Sequence, residues 1–234
     1  MPKPWTDGPK ELLQHAVDHF RQKGDFDRRI AMISIDNAVE LMIKTYLGLP
    51  KRTRDAGAKS PSRTQLEEAT NSFPKLLDLL EEFASDKLIG ISLDDIEWYH
   101  RLRNRMYHDG NGITVEHTKV ETYLELARIL FENLFGDTLD ITYKDGFDRL
   151  GEFIIKWAAF EKALREKLPP KNGEFAYYWK RDFLSEIDPK ARETFDAVSS
   201  FRNNVVHGLT TPTAEEIEKH TSMLEELFAV LSRI

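Results

Sequence analysis

An all-α fold is what this sequence predicts, and three observations carry the prediction. Apolar residues recur at three- and four-residue spacing in nearly every segment. No segment shows the alternation of a strand. Capping and stop residues fall at the ends of the periodic stretches. The 234 residues suit one large domain or two small ones. With 41% apolar and 31% charged residues, the chain belongs to the globular class.

The elements follow in order. Residues 9–22 open after Asp7-Gly8-Pro9, a cap with Pro in the first turn, and carry Leu12, Leu13, Ala16, Val17 and Phe20 at helical spacing up to Gly24. Residues 25–48 form a longer helix. Its apolar residues (Ile30, Met32, Ile33, Ile35, Val39, Leu41, Met42, Ile43) run almost all the way round, which predicts a central, buried helix ended by Gly48 and Pro50. Residues 50–63 read as a basic loop, and 64–84 as one or two short helices broken near Asn71 to Pro74. Ser92 is the predicted cap of the next helix, with Asp94 and Asp95 in its first turn. Thr114 is the predicted cap of the one after, whose stripe runs from Val120 to Leu134.

Then the pattern starts again. Residues 146–168 read as a long helix and 175–187 as a short one rich in aromatics, which read as core more than as base-stacking platforms. Asp188-Pro189 opens another helix, and Thr213 with Glu216 matches a capping box at the start of the last.

The restart is a repeat. Residues 24–47 set against 145–168, an offset of 121, place Phe26-Asp27-Arg28 on Phe147-Asp148-Arg149 and Glu40 on Glu161. At an offset of 99, Arg103-Asn104-Arg105-Met106-Tyr107-His108 falls on Arg202-Asn203-Asn204-Val205-Val206-His207. At 97, the closing helices superpose. The difference between the first two offsets equals the length of stretch 51–72, a basic insertion in the first copy. Two units follow, 1–136 and 137–234.

Within each hexapeptide, Asn and His are four apart and share a helix face, with Arg alongside. The His falls in the last turn, where the dipole favours imidazolium, and a titrating His suits acid–base chemistry. The bland alternative is a polar helix end, with His and Gly closing the helix and Arg pairing a carboxylate. The retention of Arg, Asn and His in both copies favours the functional reading. Glu40 and Glu161 either pair with the motif arginines or are a repeated packing detail. His15 and His19, four apart on the first helix, have metal-ligand spacing but no third ligand, so they read as a solvent-facing pair.

Composition bounds the rest. There is no Cys, hence no disulfide, thiolate metal site or cysteine nucleophile. No apolar run approaches the ~18 residues of a membrane span, and the start lacks a secretion signal, so a cytoplasmic protein without membrane contact is expected. The net charge of −7 argues against holding nucleic acid by bulk charge, yet local patches exist. Lys51, Arg52, Arg54, Lys59 and Arg63 face only Asp55 in their stretch, and Arg101, Arg103 and Arg105 form a basic edge. Arg101, Arg105, Lys51, Arg52 and Arg54 are therefore candidates for guiding RNA, though a solvated basic loop is as ordinary a reading.

Arg-Asn-x-x-x-His near the end of a helix in a small bundle resembles the HEPN superfamily (higher eukaryotes and prokaryotes nucleotide-binding domains). Its signature is Arg, often a polar residue, then His after four to six residues. The resemblance implies two tandem antiparallel bundles forming a pseudo-twofold pair, similar to the paired domains of type VI CRISPR effectors. It implies a metal-independent endoribonuclease without cofactor, whose single composite site draws on Arg103, Asn104, His108, Arg202, Asn203 and His207. His108 and His207 would be acid and base, the arginines would bind the phosphate, and the asparagines would orient the His or bond the phosphate. The pair is expected within one monomer or, failing that, in a homodimer. The family context implies a toxin or antiviral effector with an antitoxin or regulatory protein as partner. The alternative expectation is a non-catalytic nucleotide- or RNA-binding, or scaffolding, module.

Overall fold

A computed structural model describes residues 3–50, 53, 59–108, 114–139, 149–168 and 177–233, with the backbone alone for 177–179. Every regular element among them is a helix. The chain divides into two compact units, 1–143 and 144–234.

The N-terminal unit holds α1 (Asp7–Phe20), α2 (Asp25–Gly48), α3 (Arg63–Ala69), α4 (Phe73–Ala84), α5 (Leu93–His108) and α6 (His117–Phe135). Helix α2 is central, as its all-round apolarity predicts. It packs against α1, α3, α4, α5 and α6. Ala31, Met32, Ile35, Ala38, Val39, Met42 and Ile43 are fully buried, while Leu41 reaches solvent. Helix α1 contributes Leu13, Ala16, Val17 and Phe20 at three- and four-residue spacing. It begins at Asp7, two residues before the expected start, because a 3-10 turn over Pro4–Thr6 leads into it. The chain leaves α1 through Lys23, at φ +62, and Gly24 instead precedes α2 in an extended conformation.

Three starts differ from the sequence reading. Helix α1 includes Asp7 as its first residue, with Thr6 before it and no side-chain cap bond, so Asp7 is not its cap. Helix α6 begins at His117 with Glu116 before it and no side-chain cap, so Thr114 is not its cap. Helix α3 carries a capping box the sequence reading missed. The Ser62 hydroxyl accepts from the Gln65 amide, and the Gln65 side chain accepts from the Ser62 amide.

The C-terminal unit holds α7 (Arg149–Lys167), α8 (Tyr177–Ile187), α9 (Pro189–Val206) and α10 (Ala214–Leu231). Its core joins Phe153, Trp157, Phe160 and Leu164 of α7 to Phe195 and Val198 of α9 and Leu224 and Leu227 of α10. Trp157 stacks on Phe195 with ring centres 5.9 Å apart. Asp188 caps α9, accepting from the Lys190 amide, and Thr213 with Glu216 forms the capping box of α10. Shifted by 121, α2 lands on 146–169 against α7; shifted by 99, α5 lands on 192–207 against α9; shifted by 97, α6 lands on 214–232 against α10. At each offset the helix ranges overlap.

Candidate functional site

In the N-terminal unit the motif occupies the last two turns of α5, and His108 is its final residue. Arg103 and Asn104 are half-buried, whereas Arg101, Arg105, Tyr107 and His108 are exposed. The Tyr107 ring stands edge-on to the His108 ring at 5.4 Å.

Arg103 points inward, toward α2. Its Nε donates to Asp36 Oδ2 at 2.6 Å and its Nη2 lies 2.5 Å from the same oxygen. Its Nη1 donates to the neighbouring Asn104 Oδ1 at 2.8 Å. Asp36 is fully buried in the middle of α2 and gathers two further partners. Tyr123 of α6 donates its hydroxyl to Oδ1 at 2.8 Å, and His100 Nδ1 lies 3.0 Å from Oδ2. Both partners are held from behind. Tyr123 stacks on the fully buried Tyr99 at 4.4 Å, and His100 stacks on Phe73 at 3.8 Å.

The electrostatics follow from burial. Desolvation opposes a charged Asp36, but the hydrogen bond and charge of His100, the charge of Arg103 and the Tyr123 hydroxyl outweigh it, so the carboxyl stays below its ordinary pKa. The phenol of Tyr123 is pushed well above its ordinary value by burial, then by the charge of Asp36 and the bond to it. Asp36, His100 and Tyr123 were not singled out from sequence. One signal was present: an Asp in the middle of a helix apolar all round must find donors inside the protein.

In the C-terminal unit the motif ends α9. Arg202 is 4% exposed, and Asn203 is exposed. Arg202 Nη1 donates to Asn203 Oδ1 at 3.3 Å, repeating the bond of the first motif. His207 is half-buried and follows the last helical residue. Gly208, at φ +61, turns the chain. Its amide donates to Val205 O at 3.0 Å and the Leu209 amide to Asn204 O at 2.8 Å, the two bonds of a Schellman motif. The counterparts of the Asp36 group differ: Trp157 stands at the place of Asp36, Ser199 at that of His100, and His220, stacked on Phe201 at 3.8 Å, at that of Tyr123.

The other candidates fall as follows. Glu40 pairs with Lys44 on its own helix, and its Oε2 is 4.0 Å from Arg103, at the edge of ion-pair range. Glu161 pairs with Lys180 at 2.5 Å. Arg101 bonds Glu97 at 2.6 Å, so two of the three arginines of the basic edge face carboxylates. Lys51, Arg52 and Arg54 lie outside the described residues. His19 bonds Asp27 at 2.9 Å, with the exposed His15 edge-on to it. No group of three or more His, Cys, Asp or Glu among the described residues could hold a metal ion. No described helix is long and apolar enough to cross a membrane. A cleft lined by Lys3, Trp5, Tyr46, Lys87 and Phe135 contains none of the motif residues.

No family model, no curated protein and no solved structure matches the chain.

Proposed function

We propose that the protein is a metal-independent endoribonuclease of HEPN type, in which His108 and His207 serve as acid and base. One takes the proton of a ribose 2′-OH as it attacks the adjacent phosphate, and the other protonates the departing 5′-oxygen. The products are a 2′,3′-cyclic phosphate and a 5′-hydroxyl. The Arg103–Asn104 and Arg202–Asn203 pairs together form the phosphate-binding part of the site. The nucleophile belongs to the substrate, so the substrate is RNA.

One observation carries the reading. Both motifs place the same Arg-to-Asn side-chain bond one turn before a histidine at a helix end. A polar helix end needs no such bond to be stable, and its recurrence in two units of different core supports a shared ligand. The resemblance adds the role of a toxin or antiviral effector restrained by an antitoxin or regulatory protein, acting as a monomer or homodimer.

Incubating the purified chain with end-labelled RNA in excess chelator tests this. Cleavage to cyclic-phosphate ends is expected. Loss of all cleavage in both His108→Ala and His207→Ala means that the two histidines act on one phosphate; half-activity in each means two independent centres. RNA left intact by the wild-type chain overturns the nuclease reading. The second reading, a non-catalytic RNA- or nucleotide-binding module, is favoured by the Asp36 carboxylate that offsets the Arg103 charge. It predicts bound, uncut RNA in the same experiment.

A further inference from the structure

We infer that the asparagine of each motif, not its arginine, is the group that meets the RNA phosphate, and that Arg103 and Asp36 form a positioning pair behind it. This rests on the reading above and assigns roles within it.

The guanidinium of Arg103 is committed on two sides. Nε and Nη2 are on the Asp36 carboxylate at 2.6 and 2.5 Å, and Nη1 is on Asn104 at 2.8 Å. Swinging Arg103 out to a phosphate would leave Asp36, which has no exposure, without its counter-ion. The pair is close to neutral as it stands, so it offers a phosphate little net charge.

Asn104 is the outward end of this chain of bonds. Only its carbonyl oxygen can accept from Arg103, which fixes which end of the amide is which. Nδ2, with its two N–H donors, is the end left for a ligand. A neutral amide of fixed orientation suits a phosphodiester oxygen.

The C-terminal unit supplies an independent observation. There Trp157 stands at the register of Asp36. Yet Arg202 is 4% exposed, Asn203 is exposed, and the Arg-to-Asn bond persists. A buried guanidinium below a surface amide is the arrangement of a holder and a held group. Two different cores thus hold the amide at the same motif position, half-buried in the first unit and exposed in the second.

Asn104→Asp and Asn203→Asp test this with little risk to the fold. Aspartate has the same shape and still accepts from the arginine, but it has no N–H donors and repels phosphate. With a 2′-O-methyl RNA dodecamer, which cannot be cut, each is expected to weaken binding at least about tenfold, with an unchanged melting temperature. The double variant Asp36→Asn/Arg103→Gln removes both charges of the positioning pair. Its log Kd against log salt should keep the wild-type slope. A phosphate-gripping arginine would instead lower the slope by about 0.7. That lowered slope, or wild-type binding by both Asn→Asp variants, overturns the inference while cleavage by the wild-type chain leaves the nuclease reading standing. A wild-type chain that neither binds nor cuts RNA overturns both.

Discussion

At positions 121 residues apart, the N-terminal unit buries Asp36 and the C-terminal unit buries Trp157. Around Asp36 stand Arg103, His100 and Tyr123, each bonded to it. Around Trp157 stand Phe160 and Phe195, and the motif arginine is bonded to its neighbouring asparagine. The first unit fills its centre with a compensated charge and the second with aromatic area. The comparison separates what the helices require from what the motif requires. The core tolerates either solution, while the Arg-Asn-x-x-x-His sequence and its internal bond stay.

The two solutions respond differently to damage. Asp36→Ala strands the Arg103 guanidinium and is expected to cost about 3–5 kcal/mol in urea unfolding. Trp157→Ala should cost a similar amount, about 3–5 kcal/mol, through lost packing. Acid tells them apart. The folded pKa of Asp36 is depressed, so its stabilisation is present above the unfolded carboxyl pKa and is lost as pH falls through the folded value. The Asp36→Ala penalty should therefore shrink below about pH 4, and the Trp157→Ala penalty should not.

Glu125 sharpens the contrast from the other side. It is fully buried on α6, neither carboxylate oxygen makes a hydrogen bond, and Arg128 Nη1 is 3.9 Å away. Burial pushes its carboxyl up to about 7; Arg128 opposes this and Glu132 adds to it. Its counterpart in α10 is Ser222. Because the folded pKa lies above the unfolded one, stability is lost as pH rises from about 4.5 through about 7. Glu125→Gln should leave stability unchanged near pH 4 and raise it by about 3 kcal/mol at pH 8, read as a shifted urea midpoint.

The smallest effect concerns two helix starts that correspond at an offset of 97. Thr213 caps α10 through its side chain, whereas Glu116 precedes α6 without a cap bond. Thr213→Ala should cost about 1 kcal/mol, and Glu116→Ala should stay within about 0.5 kcal/mol, both measured by chemical denaturation.

Helix positions and the caps Asp188 and Thr213 were legible in the sequence, because periodicity and capping chemistry act over a few residues. Thr114 misled for the same reason: a capping residue type stood near a periodic stretch, but the chain reached helical geometry three residues later. The motif residues were legible through repetition. Repetition also drew the eye to Glu40 and Glu161, whose nearest partners are Lys44 and Lys180. It concealed Asp36, His100 and Tyr123, which occur in one copy only and come together across α2, α5 and α6. A contact among three separated helices leaves no spacing to read. The pairing demand of a buried Asp was the one local clue.

The turn after the second motif has a consequence for His207. The Leu209 amide is tied back to Asn204, and Thr213 is fixed as the cap of α10, so three residues, 210–212, bridge two anchored points. The backbone bearing His207 is constrained from both directions before any ligand arrives. Little backbone ordering entropy at His207 then remains to be lost on binding.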